Sequence, residues 1–162
     1  MKRLLTGLLI GLVLGASAGV GITAYSVQKT PKVANSEPTR AQLLALVNAE
    51  RARNHVAPLK EDPRLDASAQ MKAQDEVTYH YFGHVSPHDG KHGYEYINDV
   101  GISCKTDSEN LHWANPDILT AKETVDGWIS SAPHHKAMID PSYTLTGFGI
   151  DGNQVVEHFC QQ

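Results

Sequence analysis

The stretch that most narrows the fold lies near the C-terminus: TLTGFGIDGNQVVEHFC. Two runs of strand-forming residues, 144–150 and 154–160, flank Asp151-Gly152-Asn153. A tight turn between such runs predicts an antiparallel β-hairpin. Most of what precedes it reads as helix. A chain that opens on helices and closes on antiparallel strands is predicted to be α+β, with helices packed on a small antiparallel sheet.

The helical segments are marked by their caps. Thr39 can cap a helix ending near Arg53, with Leu43, Leu44, Val47 and Ala41 as its apolar stripe. The APLKEDP stretch breaks it. Asp62 then caps a second helix with Pro63 at its first position, running to about His80 with Leu65, Ala69 and Val77 inward. Residues 82–93, FGHVSPHDGKHG, form a loop, and GYEYINDVG is a short helix closed by Gly101. TDSENLHW reads as extended. A further helix is predicted over 116–131, with Ile118, Leu119, Val125, Trp128 and Ile129 as candidates for burial. APHHKAMIDP adds one more helical turn, stopped before Pro141.

The N-terminus stands apart from this domain. Lys2 and Arg3 precede an uncharged apolar run from Leu4 to about Tyr25. Two readings are open: a signal-anchor, favoured by a length that can span a bilayer, and a cleaved signal peptide with Ala16-Ser17-Ala18 as its small-residue site. Gly7, Gly11, Gly15 and Gly19 line one side of such a helix, a stripe that would let two copies pair as a homodimer. The bland reading is that glycine is simply frequent in such segments. Residues 26–38 form a polar, proline-containing linker, and the domain begins at residue 39. In either reading the domain is extracytoplasmic, membrane-anchored or secreted.

Of the 14 lysines and arginines, Lys2 and Arg3 belong to this leader, so the exported part is outnumbered by 18 acidic residues. It carries no basic run, which argues against nucleic acid as a partner. The two cysteines, Cys104 and Cys160, both lie in the exported part, where an oxidising compartment favours a disulfide over two buried thiols.

Nine histidines, all beyond the leader, are the obvious source of chemistry. His80, His84, His88 and His92 recur every fourth residue, but the loop begins at Gly83 and four-residue spacing shares a face only on a helix. HExxH and GxSxG are absent. His88, His92 and His112 read as solvent-facing or structural, His55 and His80 as surface or partly buried. His158 shares a strand face with Val156 and Cys160 and reads as core-edge. Trp128 reads as core, Trp113 as a groove edge, and Asn110 as an amide that pins a loop.

Four segments together resemble a known family. LLALVNAERARNHVAPLKEDPRLDASAQMKAQD is similar to the opening of the CAP superfamily, or SCP domain, in its small bacterial form. There, a helix with VNxxR leads through a short PL stretch to an alanine-rich helix. GHVSPHDG resembles the family's histidine loop, and SENLHW its GEN motif followed by an apolar residue. WISSAPHHKAMIDPSYTLTGFG resembles W–SPGHR–IL–P–GVG in order. The resemblance covers about residues 39–160.

It implies a three-layer α-β-α sandwich whose groove holds two histidines and one or two glutamates. Carried over by position these are His84, Glu109 and His135. His134 falls where the family has glycine, and reads as a solvent-exposed bystander. Some members bind zinc or another divalent metal through the two histidines. The second glutamate of many non-bacterial members, just after the tryptophan, is missing from ISSA. The function implied is an extracytoplasmic module that binds a divalent metal or a small lipid or envelope ligand, more a binding protein than an enzyme. The alternative is a protease-like zinc hydrolase with His84 and His135 as ligands and Glu109 as third ligand or catalytic base. The bland reading is a hydrogen-bonded cluster holding three loops together.

Overall fold

The computed structural model describes residues 37–162. The leader 1–25, its glycine stripe and linker residues 26–36 lie outside the described residues. Among the described residues no helix is long and apolar enough to cross a membrane.

In chain order the elements are α1 (Arg40–Arg53), β1 (Lys60–Glu61), α2 (Pro63–Thr78), α3 (Gly93–Asp99), β2 (Thr106–Trp113), α4 (Ala121–Ser130), α5 (Ala132–Met138), β3 (Leu145–Asp151) and β4 (Gln154–Gln161). The caps explain where the first two helices begin. Thr39 Oγ1 accepts from the Gln42 amide at 3.3 Å while Gln42 Oε1 accepts from the Thr39 amide at 3.0 Å, a reciprocal capping box. Asp62 Oδ1 accepts from the Arg64 amide at 2.9 Å, with Pro63 in the first turn. Leu43 and Val47 are fully buried as expected, but Ala41 is exposed. The inner stripe of α1 continues instead through Arg51. Its guanidinium donates to the carbonyls of Ala57, Met138, Asp140 and Tyr143, tying the helix to the loop that follows it and to the end of α5 and the chain beyond.

The sheet has the order β1-β3-β4-β2. The predicted hairpin is present, β3 and β4 pairing antiparallel, and β4 pairs antiparallel with β2 along its whole length. The expectation of a wholly antiparallel sheet is corrected at one edge. Lys60 and Glu61, within the segment read as a helix breaker, pair parallel with Leu145 and Thr146. Two exposed charged residues give no alternation to read, so the pairing is set by the chain around them.

Helices cover both faces. One face of the sheet packs on α2 and α3, the other on α1, α4 and α5, giving the three-layer α-β-α sandwich. The larger core joins Leu43, Val47, Val125, Trp128, Phe148 and Phe159 on the second face. On the first, Leu65, Ile97, Ile102 and Cys160 form a smaller cluster, and Ala69, Ala73, Leu111 and Val156 another. The helix expected over 116–131 begins only at Ala121. Thr120 Oγ1 accepts from the Glu123 amide at 3.1 Å and so sets the start. Ile118 lies in the turn before it, 55% exposed rather than buried.

Cys104 and Cys160 form a disulfide with Cα atoms 5.3 Å apart, 56 positions apart in sequence. A cross-link closing a loop of that size restricts the unfolded chain, an effect worth about 2–4 kcal/mol. Replacing both cysteines by serine should lower the unfolding free energy by that amount in denaturant titration. A loss under about 1 kcal/mol would contradict this role.

Candidate functional site

The site is built along β2, the edge strand opposite β1. Its first component is the loop after α2. His80 turns the chain with a left-handed φ of 54°, and Tyr81 returns its amide to the Glu76 carbonyl. Lys72 and Glu76, one turn apart and fully buried, hold the next residues: Lys72 Nζ donates to the Gly83 carbonyl at 2.5 Å and to Tyr81 Oη at 2.8 Å, and Glu76 Oε1 accepts from the Gly83 amide. A buried ion pair is a weak stabiliser on its own. Here it anchors the loop that carries His84.

His84 Nδ1 lies 2.7 Å from Glu109 Oε1; the histidine side chain is 58% exposed and the glutamate 8%. Directly across the β2–β4 ladder from Glu109 stands His158, whose Nε2 is 3.0 Å from Glu109 Oε2. His158 is fully buried, with Nδ1 2.8 Å from Ser68 Oγ on α2. Gly93, the first residue of α3, closes the carboxylate from another side: a Cβ there would meet Glu109 Oε2 at 2.7 Å. Burial alone would raise the Glu109 carboxyl. The hydrogen bonds from His158 and His84 outweigh it and hold the group below the ordinary glutamate value. His84 is raised in turn, mainly by its hydrogen bond to Glu109.

Further along β2, side-chain contacts reach α4 and α5. His112 Nε2 is 2.8 Å from Glu123 Oε2, and its ring packs on Gly127, where a Cβ would lie 2.9 Å from His112 Cε1. His134 is half-buried, and burial lowers its basicity, with the positive fields of His84 and His112 adding to the effect. Asn110 Nδ2 donates to the His134 carbonyl at 3.2 Å, pinning the start of α5 to β2 as the amide was expected to do.

Of the expected trio, the structure therefore joins His84 and Glu109 but not His135. His135 Nε2 is 2.9 Å from Glu50 Oε1 on α1, and Glu50 also accepts from Arg53 and Asn54. Successive helical residues point about 100° apart, so turning one histidine of the pair toward α1 turns its neighbour elsewhere. His134 is half-buried, so the expectation that it is solvent-exposed is corrected. Among the described residues no three His, Cys, Asp or Glu side chains converge as a ready metal cage.

Sequence reasoning undervalued His158. Its strand face was legible from alternation, but its partner was not. The pairing of Glu109 with His158 depends on the β2–β4 register, which hydrophobic pattern does not specify for an edge strand. The remaining histidines take local roles: His88 stacks on Tyr79 at 3.9 Å between centroids, His92 on Tyr94 at 5.5 Å, and His55 adopts a left-handed turn.

Comparison with known proteins agrees with this architecture. The model of the CAP family, cysteine-rich secretory protein family, matches residues 44–161. The uncharacterized protein YkwD of Bacillus subtilis (strain 168) is 35% identical over 108 residues, 67% of this chain and 40% of its own length. The crystal structure of an extracellular protein containing a SCP domain from Bacillus anthracis str. Ames superposes with a TM-score of 0.70 at 22% identity. That match covers 76% of this chain and 40% of that one. An outer surface protein from Borrelia burgdorferi gives a TM-score of 0.64 at 18% identity over 74% of this chain and 90% of its own. The chain thus spans about two-fifths of YkwD and of the B. anthracis chain.

Proposed function

The chain belongs to the CAP family of cysteine-rich secretory proteins, and from that membership we propose an extracytoplasmic binding module whose groove along β2 takes a divalent cation or a small polar ligand of the cell envelope. The observation that carries this reading is the solvent-facing His84 imidazole backed by the nearly buried Glu109 carboxylate. Location outside the cytoplasm is supported by the apolar leader, and by the extracellular and outer-surface descriptions of the B. anthracis and Borrelia neighbours.

A cation would be held through His84 and His134. Glu109 sits behind His84 on its other ring nitrogen, an arrangement that raises imidazole basicity and fixes its orientation. Water or ligand oxygens would complete the coordination, so a modest affinity is expected from two imidazoles. The set His84, Glu109 and His135 does not fit such a site, because Glu109 is engaged at both oxygens and His135 is paired with Glu50. The same engagement of Glu109 argues against the hydrolase reading, in which it would have to be free to take a proton from water.

Calorimetric titration of the metal-free protein with zinc tests the cation. His84→Ala and His134→Ala should each weaken uptake at least tenfold, while His135→Ala binds as wild type does. Equal uptake by all four proteins would remove the cation from the proposal. Loss in His84→Ala and His135→Ala, with His134→Ala binding as wild type does, would restore the trio expected from sequence.

A further inference from the structure

We infer that His158 is the positioning residue of the groove: buried behind Glu109 and backed by Ser68, it fixes the carboxylate so that His84 carries its proton on Nδ1 and presents a bare Nε2 to the groove. Its importance rests on the groove being a binding site, but the tautomer itself is a property of the protein without any ligand.

The tautomer follows from a count of protons. A carboxylate only accepts hydrogen bonds. Glu109 offers Oε1 to His84 Nδ1 at 2.7 Å and Oε2 to His158 Nε2 at 3.0 Å, so both nitrogens must donate. The far nitrogen of His158 faces Ser68 Oγ at 2.8 Å, and that hydroxyl also lies 2.9 Å from the Leu65 carbonyl. The serine has one proton to give. Whether it goes to His158 Nδ1 or to Leu65, the Nε2–H of His158 still points at Glu109. Strand β4 and helix α2 enclose His158 completely, so its ring has no room to turn away. Gly93 leaves room for Glu109 Oε2 in this position, where a Cβ would lie 2.7 Å away.

The buried Lys72 adds to this hold by favouring the ionised form of Glu109. Remove the His158 donor, and nothing holds Glu109 Oε2 in place, so the carboxylate is free to turn away from His84. Without that fixed acceptor on Nδ1, a neutral imidazole returns to the Nε2–H tautomer that free histidine prefers. The atom facing the groove would then change from acceptor to donor.

The test is long-range ¹⁵N–¹H correlation of histidine ring nitrogens on the full chain, ligand-free, at a pH where His84 is neutral. Wild type should show His84 as the Nδ1–H tautomer. His158→Gln, whose amide can still donate to Glu109, should keep it. His158→Phe, similar in size but without a donor, should shift the majority of His84 to the Nε2–H form. A role in packing alone would leave the tautomer unchanged in a folded variant. An Nε2–H tautomer in wild type, or identical His84 signals in wild type and folded His158→Phe, overturns the inference. Should His158→Phe fail to fold, wild type and His158→Gln decide it: Nδ1–H in both supports it, and Nε2–H in either overturns it. Zinc titration reads the groove separately, so a groove that binds nothing leaves this result standing.

Discussion

Gly149→Ala should cost more than about 3 kcal/mol of stability, at or beyond the upper end of ordinary overpacking, and lower the melting temperature by roughly 10 °C or more. The reason is backbone, not side chain. A Cβ on Gly149 would lie 2.1 Å from the carbonyl carbon and oxygen of Ala69 and 2.4 Å from the Gln70 amide nitrogen. Two residues earlier on the same strand face, a Cβ on Gly147 would lie 2.2 Å from Leu65 C and the Asp66 amide nitrogen. Helix α2 therefore rests directly on the backbone of β3 at two successive positions, with no side-chain layer between them. Backbone atoms cannot rotate aside as a side chain can, so α2 would have to lift from the sheet. Lifting it also breaks bonds that depend on the close approach: Asp66 Oδ1 to the Phe148 amide at 2.8 Å, and Gln70 to both the amide and the carbonyl of Ile150. Gly83→Ala is the control, since a Cβ there meets nothing within 4 Å, and its stability should stay within about 0.5 kcal/mol of wild type. Thermal and urea unfolding of the two variants measure the difference. Equal stability would mean that the sheet and helix are not in direct contact.

This contact also shows where sequence reading ends. The alternation of TLTGFGI marks a strand and puts its glycines on one face, but says nothing of what lies against that face. Caps behaved differently: Thr39, Asp62 and their partners lie within three residues of each other, and both helix starts were legible. Pro116 looked like another helix start, yet Thr120 makes the cap, because proline at a first turn is tolerated rather than required. At the site, His84 and Glu109 were legible through the resemblance of their motifs. The choice between His134 and His135 was not, since it depends on the rotation of a seven-residue helix whose partners, Glu50 and Asn110, are 85 and 24 residues away. Local chemistry is written locally. Register and helix rotation are settled by contacts distant in sequence.

Glu157→Gln should make the protein more stable at pH 8 and leave it nearly unchanged at pH 4.5. Glu157 lies on β4 facing the core of α1, α4 and α5, fully buried, with one carboxyl oxygen lacking a partner. Its other oxygen is 3.0 Å from Thr146 Oγ1, and that hydroxyl also lies 3.1 Å from the His158 carbonyl. One hydroxyl proton cannot serve two acceptors well. A protonated Glu157 resolves the conflict by donating to Thr146, which donates onward to His158. Burial accordingly pushes the carboxyl up to about 8, against the smaller opposing pulls of Thr146, Arg51 and Asn110.

The sign follows from where the proton resides. Between the ordinary glutamate range and pH 8 the folded state keeps a proton that the unfolded chain has released. Stability from this residue is therefore full below the unfolded value of 4.5 and falls as pH rises toward about 8. At about 1.36 kcal/mol per pH unit, the span is at most about 4–5 kcal/mol. Glutamine keeps the shape and the hydrogen bond to Thr146 but has no proton to lose, so the gain over wild type should grow across that window and reach about 2–4 kcal/mol at pH 8. Arg51 does not need Glu157 as a counter-ion, because four backbone carbonyls already take its protons. That is what the measurement decides. If Glu157 were instead the ionised partner of Arg51, glutamine would leave a buried cation uncompensated and cost about 3–5 kcal/mol. Urea unfolding of the two proteins across the pH range separates the cases by sign, and the subtraction cancels every other titrating group the proteins share.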